Sequence, residues 1–244
     1  GYTMVYGIAK MLNFAHGDVI MVGGFTIFYA VSMQSWPPLV GVLIAVVLCT
    51  VLGITIEYIA YRPLRQAASS LAVLITAIGV SYLLQNLALL LFGANPKAFT
   101  SVVTVPALKL ADGQLTISGE TIVTIVSCLV IMTGLMIFIN KTKAGQAMLA
   151  VAEDKGAAQL MGINVNGTIS LTFAIGSALA AIAGMLLCSA YPTLTPYTGS
   201  MPGIKAFVAA VFGGIGSIPG ALIGGIVLGI IEILSKAYIS SQLA

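Results

Sequence analysis

Residues 143–166 read KAGQAMLAVAEDKGAAQLMGINVN, the longest run of the chain that lacks a membrane-length apolar segment yet carries helix signals throughout. Ala144, Ala147, Met148, Val151 and Ala152 recur at helical spacing, so one apolar face forms over the first turns. Glu153-Asp154 interrupts that pattern, and Asp154 is placed to N-cap a second short helix ending near Met161. Gly162 stands where a left-handed residue closes a helix. The stretch therefore predicts a helix-turn-helix between two very hydrophobic spans. A solvated link needs no such design, and the stretch reads as a surface built for a partner.

Outward from that stretch the chain is a membrane protein by composition. Hydrophobic residues make up 59% of its 244 residues and charged residues 7%, against roughly 25% charged in soluble domains; the mean hydropathy is +1.09. Such a chain divides into spans of about 20 residues rather than soluble domains. Gly1 already opens an apolar run with no charged region or cleavage site before it, so no signal peptide is expected and a first span is expected to be missing. The net charge of +3 bears on orientation and not on nucleic acid. Cys49, Cys128 and Cys188 each lie in an apolar run without paired spacing, which predicts buried packing and neither disulfide nor metal site.

Clean spans run from Leu39 to Tyr61, Leu71 to Phe92, Thr121 to Ile139 and Thr168 to Ala190. Gly93 to Glu120 is polar, with Pro96, Pro106 and Gly113 as turn signals, and Tyr191 to Pro202 reads as an interfacial loop. Arg62, Arg65, Lys141, Lys143 and Lys155 fall on one side after an even number of crossings. Lys97 and Lys109, balanced by Asp112 and Glu120, fall on the other. Positive residues favour the cytoplasm, which puts 143–166 there. Small residues at Gly176, Ala180 and Gly184, at Gly216, Gly220 and Gly224, and at Gly225 and Gly229 predict closely packed helices.

Two hydrophobic regions are broken. Asn13, His16, Gly17 and Asp18 interrupt Gly1 to Met33, and Gly213, Gly214, Gly216, Ser217, Pro219 and Gly220 interrupt Ile204 to Leu234. Ionisable groups and unwound backbone at membrane depth must face a cavity or the bundle interior. A broken segment near each end is the pattern of transporters built around a central pathway; the same polar residues would also serve as a helix cap at the interface. Several enzyme classes fall away. The chain has no phosphate loop, no H-E-x-x-H and a single histidine, and Ser217 is not in a G-x-S-x-G elbow. Asn13-Phe14-Ala15 resembles the Asn-Pro-Ala signature of water channels, but the Pro is absent and the second break has no Asn.

N-F-A-H-G-D within Gly7 to Asp18, A-V-A-E-D-K-G-A-A-Q-L-M-G-I-N-V, and F-G-G-I-G-S-I-P-G-A-L-I-G-G occur here in that order. Together they resemble the LivH-type permease subunits of bacterial ATP-driven importers of branched-chain amino acids, over nearly the whole chain. The resemblance implies an all-α, polytopic transmembrane helix bundle, with broken or re-entrant helices near both ends and a cytoplasmic coupling helix pair. Residues 1–244 would form a single permease domain in the bacterial inner membrane, truncated at both ends, with 143–166 as its coupling loop. The implied partners are a LivM-like sister permease, two cytoplasmic ATPase subunits and a periplasmic binding protein.

Carried onto this chain, Gly145, Ala152, Glu153, Asp154, Ala157, Ala158 and Gly162 would dock on the ATPase. The Asn13–Asp18 and Gly213–Gly220 breaks would line the path of leucine, isoleucine or valine by alternating access. No cofactor is implied on this chain; ATP and magnesium belong to the partners, which accounts for the missing phosphate loop. Related importers of urea, short amides or other amino acids share these blocks, and a passive aquaporin-like channel is the further alternative.

Overall fold

The computed structural model describes residues 1–66, 70–103, 105–110 and 115–238. Among these, six helices are long and apolar enough to cross a membrane, and the chain is an all-α multi-pass membrane protein. The N-terminal region folds as a short helix α1 (Tyr2–Ala9), an irregular return, and α2 (His16–Phe28), which a π turn extends to Met33. Helix α3 (Pro38–Ile56) has Pro38 in its first turn, where the missing N–H costs nothing, and a π turn carries it on to Tyr61. Helix α4 (Ser70–Phe92) and α5 (Gly119–Lys141) follow, then α6 (Lys143–Glu153) and α7 (Lys155–Leu160). Helix α8 (Val165–Ala190), α9 (Ser200–Phe212) and α10 (Ile218–Tyr238) complete the bundle.

Helix α8 is the axis of the bundle, and α1, α2 and α3 pack along it. Small residues permit this. A methyl group at Gly184 would lie 2.5 Å from the Ile20 carbonyl oxygen, and one at Gly53 would lie 2.0 Å from Ser177 Oγ. Lipid supplies no hydrophobic force between helices, so close backbone approach and dense van der Waals contact hold them together. The outer faces of α4, α5 and α10 are apolar and open, with Leu90, Val130 and Ile233 among the exposed side chains.

Two links establish which loops share a side. Arg65 Nη1 donates to Asn166 Oδ1 at 2.6 Å, joining the end of α3 to the start of α8. At the other end, strand β1 (Lys97–Ala98) pairs antiparallel with a strand from Thr193 to Leu194, which joins the α4–α5 and α8–α9 connections. The even-crossing arrangement expected from the basic residues is therefore the one observed. The two-stranded pieces, including Leu108–Leu110 paired with Leu115–Ile117, were not foreseen; runs of two or three residues carry no readable periodicity. Asp112 and Gly113 lie outside the described residues. Cys49 and Cys188 are buried as expected, but Cys128 is exposed, because it lines an open cavity between α5 and its neighbours.

Candidate functional site

The pair α6–α7 forms as its residues dictate. Thr142 N-caps α6 by accepting from the Gly145 N–H at 3.0 Å. Asp154 Oδ1 accepts from the Gly156 and Ala157 N–H groups at 2.7 and 3.0 Å and starts α7. Gly162, at φ 82°, ends it; the Ile163 N–H reaches back to the Ala158 carbonyl at 3.0 Å, the closing bond of a Schellman turn.

The seven residues assigned to this loop divide by location. Gly145 and Ala158 are buried and Ala152 is half-buried, so these three set the packing of the pair. A methyl group at Gly145 would lie 2.4 Å from the Phe138 carbonyl oxygen. Glu153, Asp154, Ala157 and Gly162 are exposed, and beside them Leu160 and Met161 are 90% and 83% exposed. An apolar tip of that kind on a polar side of the molecule is the mark of a contact surface.

A side-chain bond fastens the pair to the membrane helices. Lys155 Nζ donates to the Ala9 carbonyl oxygen at 3.1 Å, at the C-terminal end of α1, where unpaired carbonyls and the helix dipole favour a cation. Burial, and then the nearby charges of Arg65 and Lys10, hold the Lys155 ammonium pKa below the ordinary lysine value. A separate link joins the membrane helices to each other: Glu57, fully buried, is ion-paired to Arg65 and accepts from Ser170 Oγ at 2.5 Å. Burial lowers the Arg65 pKa, Glu57 opposes that shift, and Arg62 adds to it. Arg65, held between Glu57 and Asn166, ties the end of α3 to the start of α8. Glu57 had one signal in the sequence, as the single acid in the Leu39–Tyr61 span; Arg65 follows eight positions on, but Ser170 lies 113 positions away.

The first break turns on Lys10, at φ 57°, which closes α1 and sends the chain back into the bundle. Asn13 Oδ1 accepts from the Tyr61 hydroxyl at 3.0 Å. His16 packs edge-on against Tyr2 with ring centroids 5.9 Å apart, and it borders a largely apolar cavity of about 340 Å³ between α1, α5, α8 and α10. Asp18, 1% exposed, accepts from Ser81 Oγ at 2.5 Å and from Gln85 Nε2 at 3.0 Å. Gln85 also donates to Ser200 Oγ at 3.2 Å, which joins α2, α4 and α9. Asn13 and Asp18 are buried and hydrogen-bonded within the bundle, as a membrane interior requires, and His16 is buried against the Tyr2 ring.

The second break is a tight turn. Gly214 and Gly216 have φ of 86° and 92°, and a methyl group at Gly213 would lie 1.9 Å from the Gly220 carbonyl oxygen. Ser217 Oγ accepts from the Gly220 N–H at 3.1 Å and caps α10, while Pro219 occupies its first turn. Gly214, Gly216, Ser217 and Pro219 are exposed. The two breaks do not meet each other directly. Gly17 is shut against α9 by Gly199 and Gly203, whereas Gly216 sits against Gly7 of α1. Helix α1 thus lies between the α6–α7 pair and the second break. Among the described residues, no group of three or more His, Cys, Asp or Glu side chains could hold a metal ion.

Known proteins resemble this chain in sequence over its whole length. A family described as branched-chain amino acid transport system / permease component matches residues 1–244. The high-affinity branched-chain amino acid transport system permease protein LivH of Salmonella typhimurium is 43% identical over 99% of this chain and 82% of its own length. BraD of Pseudomonas aeruginosa, a permease protein of the same description, is 42% identical over the same shares. A probable LivH from Methanocaldococcus jannaschii is 30% identical over 99% of the chain and 76% of its own length. No solved structure matches the chain. With the match running from the first broken helix through the coupling pair to α10, the chain belongs to the branched-chain amino acid transport system / permease component family.

Proposed function

We propose that this chain is the permease subunit of an importer that moves leucine, isoleucine and valine across the bacterial inner membrane. Transport proceeds by alternating access. ATP, with its magnesium, is hydrolysed on two cytoplasmic ATPase subunits, a LivM-like sister permease completes the membrane part, and a periplasmic binding protein delivers the substrate. The observation that carries this reading is the full-length similarity to permeases whose names give that substrate class.

The coupling loop supports it mechanically. Glu153, Ala157 and Gly162, with Leu160 and Met161, form the face offered to the ATPase, while Gly145, Ala152, Asp154 and Ala158 hold the pair in shape. Movement of the pair is passed to α1 through Lys155 and to α8 through its direct junction with α7. The breaks at Asn13, His16, Gly17 and Asp18 and at Gly213, Gly214, Gly216, Ser217, Pro219 and Gly220 are the pathway's moving parts. Opening the first requires α9 to leave Gly17. Two states that differ in these contacts are what ATP binding must select between.

Glu153→Arg combined with Leu160→Arg tests the docking face and leaves the Asp154 cap intact. Loss of ATPase co-purification and of leucine uptake is expected; retention of both would show the face lies elsewhere. Uptake that survives deletion of the ATPase subunit would instead support a passive channel.

A further inference from the structure

Lys205 on α9 and Glu232 and Lys236 on α10 form a charged cluster inside an otherwise apolar hairpin. Lys205 Nζ lies 2.7 Å from Glu232 Oε2, and Lys236 Nζ lies 2.6 Å from Glu232 Oε1. Each carboxylate oxygen is thus taken by one ammonium, and one positive charge is left over. Glu232 stands fourteen residues after Ile218, about 21 Å along α10 at 1.5 Å per residue. The cluster is not sealed: the side chains of Lys205, Glu232 and Lys236 are 38%, 23% and 48% exposed. Gly229, one turn before Glu232, has nothing within 4 Å of the space a side chain would fill. Met201, one turn before Lys205, is 58% exposed, and Ile230 and Ile233 stand open on α10.

Charges with this exposure are costly against hydrocarbon, and intramembrane ionisable groups border water or protein. An unbalanced cation pair beside a carboxylate, next to open aliphatic surface, matches a small zwitterion with an apolar side chain. We propose that Lys205, Glu232 and Lys236 form a station on the translocation pathway that binds the amino acid head group. The lysines receive the substrate carboxylate, Glu232 receives its ammonium, and the aliphatic side chain lies toward Gly229 and Met201. The station rests on the permease reading above.

The test uses the complete transporter in proteoliposomes, with Cys49, Cys128 and Cys188 replaced by Ala and leucine uptake as the readout. Lys205→Cys is expected to lower uptake at subsaturating leucine at least tenfold, and Lys205→Arg to stay within threefold of the parent. Treating Lys205→Cys with 2-aminoethyl methanethiosulfonate, which rebuilds a lysine-like cation, is expected to restore uptake. The negatively charged sulfonatoethyl reagent is expected not to, and leucine is expected to slow both modifications. A Lys205→Cys complex that transports within twofold of its parent, or never reacts from water, overturns the station. Modification rates that leucine leaves unchanged also overturn it, because a Lys205–Glu232 clasp between α9 and α10 would be rescued by the cation as well but would not be shielded by substrate. A parent complex that imports no amino acid overturns the permease reading and the station together, whereas an active parent with an indifferent Lys205→Cys overturns the station alone.

Discussion

The ammonium of Lys155, at the start of α7, donates to the carbonyl of Ala9, the last residue of α1, at 3.1 Å across 146 positions of sequence. A helix whose C-terminal carbonyls lie at the foot of a membrane bundle is thereby held by the loop outside it. Motion of α6–α7 cannot leave α1 unaffected, and α1 is the helix that lies against the second break at Gly216.

Replacing Lys155 with Met removes a charge-assisted bond worth about 1.5–3 kcal/mol and frees the end of α1. Leucine uptake per ATP hydrolysed is expected to fall several-fold while ATPase binding persists, measured by parallel uptake and hydrolysis assays. Unchanged coupling would remove Lys155 from the transmission path. Because burial lowers the folded Lys155 pKa, the unfolded chain binds more protons between that value and about 10.4, so this group adds stability as pH rises there. Over the same window the bond to Ala9 loses its charge. Coupling should decline at alkaline pH in the wild type and hold in Lys155→Arg.

Glu57 is fully buried, and its charge is paired with Arg65. Arg65→Ala leaves a buried carboxylate uncompensated and should destabilise by about 3–5 kcal/mol. The double variant Arg65→Gln with Glu57→Gln removes both charges and should recover a large share of that loss. Thermal unfolding in detergent measures both, and equal losses would show that the pair is not coupled.

Gly17 and Gly199 touch backbone to backbone. A methyl group on Gly17 would lie 2.3 Å from the Gly199 carbonyl oxygen, and one on Gly199 1.9 Å from that of Gly17. Either Ala variant must push α2 and α9 apart, at roughly 1–3 kcal/mol or more, and should reduce uptake sharply. Gly79→Ala and Gly134→Ala meet nothing within 4 Å and should stay within about 1 kcal/mol of the parent. Comparable uptake in all four would show that the α2–α9 contact is irrelevant to transport.

Asp154 illustrates why charge reversal alone is a poor probe of docking. Its side chain caps α7, a helix of six residues. Asp154→Ala should cost about 0.5–2 kcal/mol through the lost cap, and Asp154→Asn should cost far less. If ATPase affinity follows charge, with Asn as damaging as Ala, Asp154 is a contact and not only a cap.

Much of this molecule is legible in local residue order. The spans, the two breaks and both coupling helices follow from apolar run length, from Gly and Pro punctuation, and from short-range capping at Thr142, Asp154 and Gly162. These act within a few residues, so a linear reading reaches them. The prediction that the breaks are special holds as backbone geometry, in Lys10, Gly214 and Gly216. Their surroundings were not legible, because burial depends on which helix arrives opposite. Asn13 meets Tyr61 and Asp18 meets Ser81 and Gln85 only after α2, α3 and α4 have packed.

The amino-acid order by itself determined a polytopic helix bundle with broken ends, a helix pair outside the membrane and the family to which the chain belongs. Membrane solvation and backbone capping are properties of short segments, and the family's motifs are contiguous. Only the tertiary structure decided that Lys155 reaches the end of α1, that Arg65 holds Glu57 to α8, and that Lys205 meets Glu232. Each of those pairs a long side chain with a group brought near by helix packing, and no local pattern encodes that distance.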